Sequence, residues 1–165
     1  YENSINPPLF FATLLAHLPM ETAPLKFYVY SRAMIEAIAP HEEPHLIISV
    51  TSAVTDQARL RAGALRRGVL RLSFLDADAP TAEMPEEQLF SNEQAAKVWS
   101  FVANRPADVT LIVVHCDAGV SRSAGIAAAL AKVFLGDDTE FFGGRYRPNR
   151  RVYRAVLEAA LGPTV

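Results

Sequence analysis

Two stretches of this chain are almost free of polar residues over the length of a strand: Leu46-Ile47-Ile48-Ser49-Val50 and Val109-Thr110-Leu111-Ile112-Val113-Val114. Short β-branched runs of this kind suit strands covered on both faces, which occur where helices flank a parallel sheet. The remaining pattern fits that frame. Phe27-Tyr28-Val29-Tyr30 reads as a first strand, and Ser31 can cap a short helix through Ala39 that Pro40 stops. Arg59 to Arg67 reads as a further helix ended by Gly68. Leu70, Leu72 and Phe74 alternate with Arg71 and Ser73, so the next strand has one wetter face and belongs near a sheet edge.

Ser91-Asn92-Glu93-Gln94 has capping-box spacing, and Ala95, Val98, Trp99 and Val102 then recur on one helical face. Ile126, Leu130, Val133 and Phe134 mark a second amphipathic helix, and a last one begins after Pro148-Asn149. The alternation of strands and helices predicts an α/β fold: a central, mostly parallel sheet of four to five strands flanked by helices.

At 165 residues the chain is long enough for one sizeable core and short for two. Sixteen basic and 18 acidic residues leave a net charge of −2, which speaks against a nucleic-acid partner. The longest apolar stretch, Leu9 to Leu18, falls short of the roughly 20 residues a membrane span needs. No membrane partner is expected, and the start Tyr1-Glu2-Asn3-Ser4 lacks the positive charge of a secretory leader. Asn6-Pro7-Pro8 with Leu9, Phe10, Leu14 and Leu18 reads as a short capped helix with one oily face. Residues 1–24 are therefore expected to form an N-terminal helical appendage to a domain spanning 25–165, with 9–18 a candidate contact between copies of the chain.

The single cysteine, Cys116, excludes an intramolecular disulfide and a thiolate zinc cluster. It stands in His115-Cys116-Asp117-Ala118-Gly119-Val120-Ser121-Arg122-Ser123, between the most buried strand and the helix that starts near Arg122. A turn at a helix N-terminus presents unpaired N–H groups and the positive end of the helix dipole, which favour an anion. The same donors favour the thiolate of a cysteine placed there, and thiolate is the nucleophile. Gly119 lets the backbone curl so that successive N–H groups of Asp117, Ala118, Gly119, Val120, Ser121 and Arg122 form a nest. Arg122 can add two parallel hydrogen bonds to phosphate oxygens.

With these residues, His-Cys-x-x-Gly-x-x-Arg-Ser resembles the signature loop of the cysteine-dependent protein tyrosine phosphatases, especially their compact dual-specificity-like branch. Five requirements coincide: the preceding His, the Cys, the Gly, the Arg and the following hydroxyl. The resemblance extends from the strand at Phe27 to the helix after Asn149, includes Arg147-Pro148-Asn149, and is similar in spacing to small bacterial members; residues 1–24 lie outside it. It implies a protein tyrosine phosphatase-like fold and a two-step reaction. Cys116 attacks phosphorus to form a thiophosphate, while the loop amides and Arg122 hold the equatorial oxygens, and water then hydrolyses the intermediate. Ser123, and less directly His115, would support the Cys116 thiolate as it leaves. An aspartic acid on a separate loop would protonate the leaving group.

Residues 76–90 form a long loop, and Asp76, Asp78, Glu83 and Glu86 are the candidate acids. Asp76, immediately after the strand Leu70 to Leu75, is the first choice on the resemblance, with Asp78 next. No metal and no other cofactor is expected. His41-Glu42-Glu43-Pro44-His45 matches a zinc-hydrolase pattern in letters, but Pro40 and Pro44 keep the two histidines off one helical face. Arg145, Arg147, Arg150, Arg151 and Arg154 form the one basic concentration, read as a solvated helix start or as recognition of an anionic substrate.

The expected function is phosphomonoester hydrolysis on a phosphorylated protein, phosphotyrosine first, or on a small phosphomonoester. Alternatives are an inositol phosphate substrate and a phosphoprotein-binding module without turnover. Asp117 inside the loop disfavours polyanions. A nucleophilic cysteine with no partner thiol needs a reducing compartment, which points to the cytoplasm.

Overall fold

The computed structural model describes residues 23–163. Residues 1–22 of the predicted appendage, which include the candidate contact at 9–18, lie outside them. Four strands, β1 (Lys26–Ser31), β2 (His45–Thr51), β3 (Arg66–Ser73) and β4 (Leu111–Cys116), pair in the order β1-β4-β2-β3, all parallel. Four helices accompany them: α1 (Arg32–Ala37), α2 (Asn92–Ala103), α3 (Arg122–Leu135) and α4 (Arg150–Leu161). The expected α/β class therefore holds, with four strands.

The two nearly continuous apolar runs are the two inner strands, and every residue of β2 and β4 is buried. Their two faces meet different layers. Leu46, Ile48, Val50, Ile112 and Val114 pack with Val98 and Val102 of α2, Ile126 and Leu130 of α3, and Val152 and Val156 of α4. Ile47, Leu111 and Val113 turn the other way, onto Ile35 of α1. β3 lies at the edge, in keeping with its alternating pattern. Each of these aliphatic side chains gains about 1.5–3 kcal/mol from complete burial, so the sheet is fixed from both sides.

Helix starts follow the sequence closely. The Ser31 hydroxyl accepts from Met34 N at 3.1 Å, and Ser91 and Gln94 form the reciprocal capping box. α1 ends at Ala37, two residues earlier than expected. α3 is less amphipathic than its pattern suggests, being buried from Arg122 to Ala131. Its alanines and Gly125 let it sit between sheet and α4; a Cβ on Gly125 would lie 2.8 Å from Asn149 O.

One predicted element is absent. Residues 59–65 form no helix, and Arg66, Arg67 and Gly68 belong to β3. Tertiary bonds replace the helical ones: Arg59 N donates to Glu36 Oε1 at 3.0 Å, His45 N donates to Leu65 O at 3.0 Å, and Arg67 holds Asp108 at 2.7 Å. Gly68 does not end a helix. It clears space inside the sheet, since a Cβ there would come within 3.2 Å of both Leu46 and Phe101.

The register brings the carboxyl ends of the strands together, where ligands bind in open parallel sheets. Ser31 pairs with Cys116, and Thr51 pairs with Ser73. The segments after these residues, 32–34, 52–58, 74–90 and 117–121, therefore share one edge of the sheet.

Candidate active site

Cys116 ends β4 and Arg122 opens α3, so the loop between them is held by a buried strand on one side and a buried helix on the other. Three of its carbonyls are bonded to the elements around it. Asp117 O accepts from Arg32 N at 3.1 Å, Val120 O from Arg147 N at 2.9 Å, and Ser121 O from Asn149 N at 3.1 Å and Gly125 N at 2.8 Å. In a planar trans peptide the next N–H points opposite its carbonyl, so Ala118, Ser121 and Arg122 present theirs to the inner side. Gly119 has φ 68°, and a Cβ there would lie 2.5 Å from Ser31 N. The residue thus serves both the left-handed turn and the close approach to the end of β1.

Cys116 is 2% exposed, with Sγ 3.0 Å from Ser123 Oγ. Arg122 is 5% exposed. Its Nη1 donates to Phe74 O at 2.9 Å and Ser52 Oγ at 3.1 Å, and its Nη2 donates to Asp117 Oδ2 at 2.6 Å. Its Nε is buried without a partner. A buried donor left unpaired costs about 1–3 kcal/mol, more when charged.

His115 lies fully buried beneath the loop with Nε2 2.7 Å from Ser49 Oγ, its register partner on β2. Burial pushes the imidazole down to about 4, so it is neutral at pH 7. It ties β4 to β2 through Ser49.

The four candidate acids separate cleanly in space. Asp76 reaches the loop: its Oδ1 accepts from Ser121 Oγ at 2.8 Å and from Asn149 Nδ2 at 2.8 Å. Asp78 instead accepts the backbone N–H of Arg150 at 2.8 Å, at the head of α4. Glu86 pairs with Arg151, whose hydrogen bond holds its carboxyl below the usual range, and Glu83 is exposed. Two donors on one Asp76 oxygen fix the orientation of the carboxyl.

Asp76 and Ser121 also line a cavity of about 710 Å³, together with Phe142, Tyr146, Arg147 and Pro148. The zinc-like motif is arranged differently. His41 and His45 rings stand 5.4 Å apart edge to face, and Glu43 accepts from Lys26 and Thr110. Among the described residues no group of three or more His, Cys, Asp or Glu is placed to hold a metal, and no helix is long and apolar enough to cross a membrane.

Sequence patterns did not single out Ser49, Ser52, the Phe74 carbonyl or the side chain of Asn149. Only the last had a signal, its place in Arg147-Pro148-Asn149.

A four-stranded parallel α/β sheet with a Cys-to-Arg loop at its carboxyl edge resembles the cysteine-dependent protein tyrosine phosphatases. Solved structures similar to this chain carry related descriptions. One is the human tyrosine phosphatase-like serine/threonine/tyrosine-interacting protein, at 18% identity and TM-score 0.48, covering 69% of this chain and 74% of that one. A second is PTPMT1 in complex with PI(5)P, at 19% and 0.47, covering 72% and 76%. A third is OH1 from the Orf virus, described as a tyrosine phosphatase with triple substrate specificity, at 16% and 0.49, covering 90% and 96%. No protein-family model matches the chain, and no curated relative matches it.

Proposed function

We propose that this chain is a metal-independent phosphomonoester hydrolase of the cysteine-dependent tyrosine phosphatase type. The observation that carries the reading is the unpaired, buried Nε of Arg122 at the end of a loop that begins with Cys116 and turns its amides inward. A phosphate seated there would satisfy that edge of the guanidinium and the loop N–H groups together. Cys116 Sγ then attacks phosphorus, and the bond to the leaving oxygen breaks as Asp76 gives it a proton. Water, activated by the Asp76 carboxylate so formed, cleaves the S–P bond, and Ser123 Oγ stabilises the departing thiolate.

Phosphotyrosine is the proposed first substrate, with phosphoserine and phosphothreonine second; Phe142 and Tyr146 are the two aromatic residues in the otherwise polar cavity that Asp76 and Ser121 line. A lone nucleophilic cysteine suits a reducing compartment such as the cytoplasm. The test is hydrolysis of p-nitrophenyl phosphate in EDTA by wild type, Cys116→Ser and Arg122→Lys. Turnover in wild type, none in Cys116→Ser and a loss of about a hundredfold or more in Arg122→Lys are expected. Undiminished turnover in Cys116→Ser would remove the reading.

A further inference from the structure

Arg32 lies outside the Cys116-to-Arg122 loop, at the start of α1, yet it is bonded to the loop and to a second segment beside it. Its backbone N–H donates to Asp117 O at 3.1 Å. Its guanidinium turns to the segment that follows β2. Nη1 donates to Asp56 Oδ2 at 2.9 Å and Asp56 O at 3.3 Å, and Nη2 donates to Asp56 Oδ1 at 2.9 Å and Gln57 O at 3.1 Å. Nε donates to Glu36 Oε1 at 3.1 Å, which uses the last of the guanidinium donors. Glu36 Oε1, one turn further along α1, also accepts Arg59 N at 3.0 Å. Two side chains of α1 thus hold the segment at Asp56, Gln57 and Arg59.

The same segment carries Ser52. Its Oγ accepts from Arg122 Nη1 at 3.1 Å and donates to Asp117 Oδ2 at 3.0 Å. A turn connects Ser52 to the clamped residue, with Asp56 N donating to Ala53 O at 3.2 Å, and beyond it Arg71 Nη1 donates to Ala58 O at 3.1 Å. Arg32 therefore reaches both partners of the Ser52–Asp117 bond: Asp117 through its own backbone, and Ser52 through Asp56. Stability does not account for the clamp. The Asp56 side chain is 71% exposed, and an ion pair that open adds little to the folded state. What two parallel bonds to one carboxylate supply is a fixed position.

We propose that Arg32 is a positioning residue: by clamping Asp56 it holds Ser52 against Arg122, and so sets the orientation in which the Arg122 guanidinium meets phosphate. The inference rests on the phosphatase reading of the Cys116-to-Arg122 loop. Arg32 acts through other residues and makes no contact with the reacting atoms. Its effect follows from geometry, because a guanidinium displaced from a developing charge loses most of what it contributes to the transition state. Lysine cannot take its place, since a single ammonium cannot span both Asp56 oxygens and the Gln57 carbonyl in one plane.

The experiment is a double-mutant cycle on p-nitrophenyl phosphate hydrolysis with wild type, Arg32→Ala, Ser52→Ala and the double variant, and with Arg32→Lys as the charge-keeping control. Each single alanine variant is expected to lower kcat/KM about tenfold, carried mainly by kcat, and the double variant also about tenfold, because both remove one and the same support. Arg32→Lys should lose about as much as Arg32→Ala. Asp56→Ala opens the clamp from its exposed side and leaves the Arg32 backbone bond to the loop, so the cycle repeated with it in place of Arg32→Ala does not depend on how well the arginine variant folds. A merely structural role would give independent losses. Losses that multiply to about a hundredfold in both double variants, or single Arg32 and Asp56 variants within about twofold of wild type, overturn the inference while the hydrolase reading stands. Absence of Cys116-dependent turnover in wild type overturns the hydrolase reading itself, and the inference with it.

Discussion

Asn149 Nδ2 donates to Asp76 Oδ1 at 2.8 Å, and the oxygen of the same amide accepts Val152 N–H at 2.9 Å at the head of α4. One side chain thus ties the start of the last helix to the carboxyl nearest the signature loop. The two duties can be separated by substitution. Asn149→Ser keeps a capping oxygen and loses the amide donor, whereas Asn149→Ala loses both and about 1 kcal/mol of stability. Asn149→Ser is expected to slow phenyl phosphate turnover about tenfold and 2,4-dinitrophenyl phosphate less than threefold, because only the poorer leaving group needs a well-placed proton. Equal losses on both substrates would remove Asn149 from that role.

Asp76→Asn should show the same leaving-group dependence more strongly, by about a hundredfold on phenyl phosphate, while Asp78→Asn should chiefly destabilise the head of α4. Steady-state kinetics with both substrates, and a thermal melt of each variant, distinguish them. A greater catalytic loss in Asp78→Asn than in Asp76→Asn would reverse the assignment.

The 3.0 Å contact between Cys116 Sγ and Ser123 Oγ predicts a kinetic signature. A hydroxyl that stabilises the leaving thiolate matters most when the thiophosphate breaks down. Ser123→Ala is therefore expected to produce a burst of p-nitrophenol equal to the enzyme concentration, followed by turnover about tenfold or more below wild type. Rapid-mixing absorbance measurements read both phases, and a slow linear trace without a burst would place the role of Ser123 earlier.

His115 makes stability depend on pH in a defined window. Its ordinary value of 6.5 applies to the unfolded chain, and burial lowers it to about 4 in the folded protein. Between these values the unfolded state binds a proton that the folded state does not, so stability is complete above pH 6.5 and declines as pH falls toward 4. The full effect is roughly 3 kcal/mol. Urea midpoints at pH 7 and pH 5 should differ in wild type, and Asn in place of His115 should remove much of that difference.

Gly119 is expected to tolerate no side chain. With φ at 68° and a Cβ 2.5 Å from Ser31 N, Gly119→Ala must move the loop or β1. A loss of about 2 kcal/mol or more in stability is expected, together with the loss of phosphate inhibition. Gly136→Ala is the comparison: it shares the positive φ, but nothing lies within 4 Å of a Cβ there. It should lose less stability and keep phosphate inhibition.

What the sequence could determine by itself was whatever depends on neighbours along the chain. The apolar runs of β2 and β4 reveal burial on both faces because composition alone reports it. Capping at Ser31 and Ser91 is read within four residues, and the Cys116-to-Arg122 spacing places a thiol and a guanidinium at the two ends of one loop. Local patterns fail where distant partners compete. Residues 59–65 look helical, yet Glu36, His45 and Asp108 bind the backbone or side chains of this segment and of Arg67 beside it, and Gly68 makes room for Phe101 from another element. Likewise four carboxyls crowd residues 76–86, and the resemblance alone ranks Asp76 first, ahead of Asp78. Only the packing of α4 against the loop puts Asn149 and Ser121 on Asp76 and the helix head on Asp78. Ser52 and Phe74 enter the site because β2 ends beside β4 and β3 ends beside β2, neighbours set by strand order. A one-dimensional pattern cannot encode that order, because it is decided by which apolar faces bury each other.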